Sequence, residues 1–318
     1  MRRYSFVAGS AAFSIASIGQ TACAQQLPRK LRYGIAPAED AALASCALKK
    51  GFFEKAGLDV ELIMFPSGGA ITLGLLGGSL DLGVTNMGAL AAAHVAGIPL
   101  SLVACGSLYS SASPSAHLVV LKKGPLRSAK DLAGKTVAVS SLHEFAHCPV
   151  LQWLDRNGVD SKTVNFVQMP LGTAVTALQA SHIDAIDLVE PLFTRWKAEL
   201  TDLGTPLSAV ADGRPVEIFG TVATKNFIEA NSVVVRAAAD ALRMAARWAN
   251  DPRNSREAAV TIADFTKVDS ASVSAYPRLH FGERLDPALI QPSIDMMAKY
   301  AFLPRAFPAG DLFANLPG

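Results

Sequence analysis

The chain has 318 residues, half of them apolar and 18% charged, with a formal net charge of +2. That length and hydrophobicity supply a sizeable core, divide naturally into two lobes or domains, and exclude intrinsic disorder. Setting aside Arg2 and Arg3 leaves equal numbers of basic and acidic residues, so the body of the chain is neutral and lacks the cationic surface on which nucleic-acid binding depends.

Arg2 and Arg3 precede an apolar run at 6–18 and the small-residue triplet Ala22-Cys23-Ala24. This is the layout of an export signal over residues 1–24, cleaved near Ala24, and it predicts a periplasmic protein. The run is too short to span a bilayer, and the later apolar stretch 86–104 is interrupted by His94, Gly97 and Pro99. A lipid anchor at Cys23 is the alternative, but Gln20 stands where that cleavage site needs an aliphatic residue. The remaining cysteines, Cys46, Cys105 and Cys148, are odd in number and have no CxxC spacing. They specify no disulfide framework; one pair or plain buried thiols both fit.

From residue 31 short β-rich runs alternate with helical ones. LRYGI is a strand, 41–50 a helix stopped by Gly51, and 60–65 (VELIMF) a strand. A helix at 71–76 ends at Gly77-Gly78, 80–85 is a strand, 88–96 an alanine-rich helix, and 100–105 (LSLVAC) a strand. After the Ser/Pro-rich passage 110–115 and HLVVLKKGP comes a second block, with strands at 136–141, 164–169 and 183–189 and helices at 149–156 and 172–180. Strand 216–224 leads into a helical tail in which Val235, Ala238, Leu242, Ala245 and Ala249 share one face, and Asp286-Pro287 starts a further helix. Alternation of this kind predicts an α/β fold with a parallel sheet covered on both faces.

The stretches KKGFFEKAGLDVELIMFPSGGA (49–70), GGSLDLGVTNMGAL (77–90), HLVVLKKGPLRSAKDLAGKTVAVSS (117–141) and IDAIDLVEP (183–191), taken in this order, resemble the type II periplasmic substrate-binding proteins of ABC importers, in the nitrate/sulfonate/taurine and thiamine-precursor group. The resemblance implies a two-lobed clamshell, each lobe a mixed sheet flanked by helices. It divides the chain into a first lobe of 25–113 plus 219–318 and a second of 114–218, with crossings near 110–117 and 214–221. It also implies a small-molecule ligand held between the lobes, an ABC permease in the inner membrane as partner, and a monomer. Carried over onto this sequence, the ligand positions fall on the loop after Ile35, which holds Glu39, on Ser67, Gly68 and Gly69, on Thr85 and Asn86, on Ser140, Ser141 and His143, and on Glu190.

Those loops follow strands and open helices, so free backbone N–H groups point toward the same space. They contain no Lys or Arg but hold Glu39, Asp40, Glu144 and Glu190. The carboxylates favour a ligand with an amine, an N–H donor or a neutral ring, and count against simple nitrate. Glu190 has a second reading as the acid that caps the helix after Pro191. Tyr109 and Phe145 offer either a stacking face or ordinary packing. For Ser67, Thr85, Asn86, Ser140 and Ser141 the simpler role is capping of the following helix.

His143, Glu144 and His147 spell H-E-x-x-H, the zinc-protease signature. Pro149 stands two residues beyond, where an established helix would lose a hydrogen bond and clash, so the helix is expected to begin near Cys148-Pro149 and the motif to lie in a loop. No G-x-G-x-x-G, Walker lysine or G-x-S-x-G stands in a supporting context, and no cofactor or metal is assigned. The sequence thus predicts the solute-binding component of an importer for a sulfonate-, aromatic- or pyrimidine-like molecule. The alternative is an enzyme on the same clamshell acting on a pyrimidine or aromatic precursor.

Overall fold

The computed structural model describes residues 30–36, 39, 42–65, 67–266 and 269–315. Residues 1–24, on which the expected export signal with Cys23 and Ala24 falls, and the expected cleft-loop residues Asp40 and Pro66 lie outside the described residues. Thirteen strands follow in order: β1 (Lys30–Ile35), β2 (Asp59–Met64), β3 (Leu82–Asn86), β4 (Leu100–Cys105), β5 (Ser107–Tyr109), β6 (Ala116–Leu121), β7 (Thr136–Val139), β8 (Asn165–Gln168), β9 (Ala185–Val189), β10 (Leu200–Gly204), β11 (Val216–Glu217), β12 (Phe219–Thr224) and β13 (His280–Phe281). They form a sheet β2-β1-β3-β12-β4, a second sheet β10-β6-β9-β7-β8, and a three-stranded sheet β11-β5-β13.

The apolar run of β4 behaves as a fully buried strand, which requires cover on both faces, whereas in edge strand β2 Val60 alone is buried. Each large sheet is mixed. β1, β2 and β3 are parallel, and β12 is antiparallel to both β3 and β4. In the second sheet β7, β8 and β9 are parallel, while β6 runs against β9 and β10 against β6. The chain leaves the first sheet after β4 and returns through β11, so β12 enters from the opposite end. The run at 216–224 splits at Ile218, its first part joining β5 and its second joining β3 and β4. β10, sequence LTDLG, carries too little apolar character to be read as a strand from sequence.

One face of the first sheet packs on helices Ala42–Lys49 and Ser232–Asn250. The buried stripe Val235, Ala238, Ala241, Leu242, Ala245, Ala246 and Ala249 recurs at the helical period, and its small side chains let the neighbouring helix approach closely. The helix Pro287–Lys299 begins where Asp286 Oδ1 accepts from Ala288 N at 2.9 Å. Its Ile290, Ile294 and Met297 share one apolar cluster with Met87 and Leu90 near the first sheet and with Phe145 and Cys148 near the second. The tail therefore packs against both halves, and the Tyr300 hydroxyl reinforces this by donating to Asp155 Oδ2 at 2.6 Å.

Asp81 ties β1 to β3 from the loop ahead of β3. It accepts from Arg32 N at 2.9 Å, Nε at 3.1 Å and Nη2 at 3.0 Å, and is itself buried. Asp81→Ala is expected to cost about 2 kcal/mol in urea unfolding, the scale of a charged hydrogen-bond set, because Arg32 is exposed enough to recover water. A loss under about 0.5 kcal/mol would show the pair to be ornamental.

Candidate ligand-binding cleft

A cavity of about 490 Å³ lies between the two large sheets. Its walls come from the loops after β1 and β3 on one side and those after β7, β8 and β9 on the other, with the β11–β12 junction closing the back. These are carboxyl ends of parallel strands, where the sheet offers following helices with free N–H groups rather than another strand.

Glu39, Asn86, Ser140, Ser141 and Glu190 all line this cavity. Asn86 caps the helix Met87–Val95, its Oδ1 accepting from Ala89 N at 2.7 Å. That fixes the amide orientation and leaves the NH2 end as the group free to donate. Glu39 Oε2 accepts from the Tyr276 hydroxyl at 2.9 Å and Oε1 from Leu279 N at 3.3 Å. Glu190 takes Thr194 N on Oε2 at 3.0 Å and Thr194 Oγ1 on Oε1 at 2.9 Å. It thus caps the helix Leu192–Trp196 while facing the cavity; capping and lining coexist in one side chain.

Ser67, Gly68 and Gly69 lie elsewhere. Ser67 Oγ accepts from Ala70 N at 3.3 Å, capping the helix Gly68–Leu76, and none of the three residues lines the cavity. Thr85 is 3% exposed and faces away from the side Asn86 presents. Tyr109 is wholly buried and donates to Thr205 Oγ1 at 3.2 Å.

The H-E-x-x-H segment is not helical. The helix Cys148–Arg156 starts after it, with Pro149 in its first turn, and His143 has φ 59°. His147 Nδ1 accepts from His143 N at 3.3 Å, and the two rings, 5.9 Å apart, pack against Phe302 instead of converging on a common point. Burial pushes the His147 imidazole down to about 4, with His143 adding to the shift, so it is neutral in ordinary buffers. His143 is exposed and outside the cavity wall. Phe145, between the histidines, does line it, alongside Pro149, Leu171, Val189 and Leu207.

Sequence reasoning overlooked Asp187. It lies inside β9, lines the cavity, and is 8% exposed. Its Oδ1 is buried with no hydrogen-bond partner among the described residues, and burial raises its carboxyl to about 7, opposed by the charge of His117. The available signal was an ionisable residue within an otherwise apolar strand, which needs a partner from somewhere. The cavity therefore presents Glu39, Asp187 and Glu190, apolar walls, and no Lys or Arg among the described residues.

A family model described as NMT1/THI5 like matches residues 40–255. Among relatives, a putative ABC transporter periplasmic binding protein of Brachyspira hyodysenteriae is 31% identical over 57% of this chain, and the match spans only 51% of that relative. A putative binding protein of Brucella abortus is 28% identical over 86% of this chain and 82% of its own length. Among solved structures, the periplasmic aliphatic sulphonate binding protein SsuA from Escherichia coli superposes with a TM-score of 0.73 at 18% identity, covering 91% of this chain and 93% of that one. At that identity the likeness establishes the periplasmic-binding-protein fold, with mixed sheets flanked by helices, and leaves the ligand to the site's own chemistry.

Proposed function

The chain belongs to the NMT1/THI5-like family, and from that premise we propose that it is the periplasmic solute-binding component of an ABC importer. It captures a small polar organic molecule between two lobes, 25–113 with 219–318 and 114–218, and hands it to a membrane permease. The observation that supports this best is a cavity framed by strand-end loops from both sheets. A ligand there touches both halves only when they are together, so its binding free energy favours the closed arrangement. About 490 Å³ suits a molecule of one or two rings.

In this reading Asn86, Ser140 and Ser141 supply the polar contacts that orient the ligand, Glu39 and Glu190 are held rigid by their own hydrogen bonds, and Phe145 offers an apolar face. The segments 105–116 and 204–219 serve as the hinge, because among the described residues these are where the chain passes between the two large sheets. No bond is made or broken.

Mass spectrometry of small molecules that copurify, followed by thermal shift and small-angle scattering with the same compound, tests the proposal. The compound is expected to raise Tm with concentration and to shrink the radius of gyration without being consumed. Asn86→Ala is expected to weaken binding about tenfold, the scale of one lost hydrogen bond. Turnover of the compound would instead point to an enzyme; binding with no change in shape would remove the closure mechanism.

A further inference from the structure

Resting on that receptor reading, we propose that Asp187 is the anchor for a cationic or N–H-donating group of the ligand, an amidine, amine or amino-heterocycle, and that the cleft rejects sulfonates and carboxylates. The strand register aims the side chain. Asp187 stands opposite Leu118 of β6, and Leu118 and Ala185 belong to the cluster under helix Cys148–Arg156, whereas Ile186 and Leu188 pack on the other face. The next residue on Asp187's face, Val189, lines the cavity opposite Ala116, which lines it too. The carboxylate thus forms part of the cavity floor, with an apolar layer behind it.

A buried carboxylate oxygen without a partner is costly, and native structures rarely keep one without a use for it. The group whose charge acts on it, His117, is already committed: it lies on the opposite face of the sheet, its Nδ1 is 2.8 Å from Asp202 Oδ2, and its ring stacks on Phe193 at 3.9 Å. The other acids on the wall, Glu39 and Glu190, have their oxygens satisfied by Tyr276, Leu279 and Thr194. Asp187 alone among the three has a carboxylate oxygen without a hydrogen-bond partner among the described residues. A planar donor pair such as an amidinium matches a carboxylate edge, and the apolar walls around it accept the attached ring. An anionic head group would meet three carboxylates and no counter-charge.

The test uses three ring compounds that differ in one group: benzamidine, benzoate and benzenesulfonate. Benzamidine is expected to raise Tm and close the lobes, and the two anions to do neither. Because burial holds Asp187 near 7, with Glu39, Glu190 and His117 the titratable groups about it, the benzamidine Kd should tighten about tenfold from pH 6 to pH 8 as the carboxylate ionises. Asp187→Asn should weaken benzamidine by about 100-fold, the effect of removing one member of a buried charge pair, and should erase the pH dependence. The wild-type pH series stands by itself if that variant fails to fold. Stabilisation by benzenesulfonate equal to or greater than that by benzamidine, or undiminished benzamidine binding by the variant, overturns the assignment while leaving a receptor that closes on an anion. Absence of binding and closure with all three probes and with a wider solute panel overturns both readings.

Discussion

Gly88→Val is expected to leave a folded protein whose ligand affinity falls by about 100-fold. A Cβ at Gly88 would lie 2.7 Å from Phe145 Cβ and 3.0 Å from Phe145 Cδ2, with Met297 Sδ at 2.8 Å. The methionine sulfur ends a flexible side chain and can swing away. Phe145 Cβ cannot, because it is one bond from the backbone of the loop joining β7 to helix Cys148–Arg156. The helix carrying Gly88 follows β3 and belongs to the first half, whereas Phe145 belongs to the second, so relief comes from moving one half against the other.

Over-packing of this kind costs about 1–3 kcal/mol. Where the cost falls only on the arrangement with the halves together, it appears as a loss of up to about 100-fold in Kd with little change in apo Tm. Gly88 has no left-handed φ and sits in the first turn of helix Met87–Val95, so valine adds no backbone strain there. Gly88→Ala should fall between wild type and Gly88→Val in Kd. Calorimetry with the copurifying ligand, alongside scattering of the apo variant, checks this. Unchanged affinity in Gly88→Val would show that Phe145 yields freely and that the contact does not govern closure.

The positions that could be foreseen share one property: they stand just beyond a strand that the alternation already located. Asn86, Ser140, Ser141 and Glu190 come from the family resemblance, carried over onto the ends of strands that the alternation itself locates, and the placement of H-E-x-x-H outside a helix follows from Pro149 alone. The order of strands across a sheet is not written in the alternation. Ser67, Gly68 and Gly69 end a strand as legible as β3, but in the first sheet β2 falls at the edge and β3 in the middle, and of these two it is β3 that brings a residue, Asn86, to the cavity. Side-chain direction was the other hidden variable. Thr85 and Asn86 are neighbours that point to opposite faces, and one-residue uncertainty in register exchanges their roles. Asp187 escaped because its strand reads as continuous core, and a two-residue period cannot say which buried face opens on a cavity. The small sheet β11-β5-β13 joins β5 to segments more than a hundred residues away, and nothing local in those two- or three-residue strands announces the pairing.

That small sheet holds the second large expectation: stability should decline as pH rises from about 5 to about 9, and Glu217→Gln should remove much of the decline. Glu217 lies on β11 in the return crossing and has no exposed surface. Its Oε1 accepts from Gly106 N at 3.4 Å, and its Oε2 is buried without a partner among the described residues. Desolvation raises its carboxyl to about 8, opposed by the Cys105 thiol and the Gly106 amide and assisted by Asp286. A carboxyl whose folded pKa exceeds its unfolded one binds more protons when folded. Its contribution is therefore full below the unfolded value near 4.5 and is lost as pH climbs through about 8. For one such group the integrated loss is on the order of 4 kcal/mol. Asp187, raised to about 7 by burial, acts in the same sense.

Exposed acids such as Asp131, held low by the backbone N–H groups of Arg127 and Ser128, act oppositely and only at more acid pH. The stability maximum should accordingly fall at about pH 5–6. Urea unfolding at a series of pH values reads the slope directly. Glutamine keeps the shape and an amide oxygen for Gly106 N but cannot ionise, so Glu217→Gln should be the more stable protein at pH 9 and close to wild type at pH 5. An equal slope in both proteins would place the pH dependence elsewhere. A wild-type stability that climbs between pH 5 and pH 9 would mean that water or a counter-charge reaches Glu217 in the crossing.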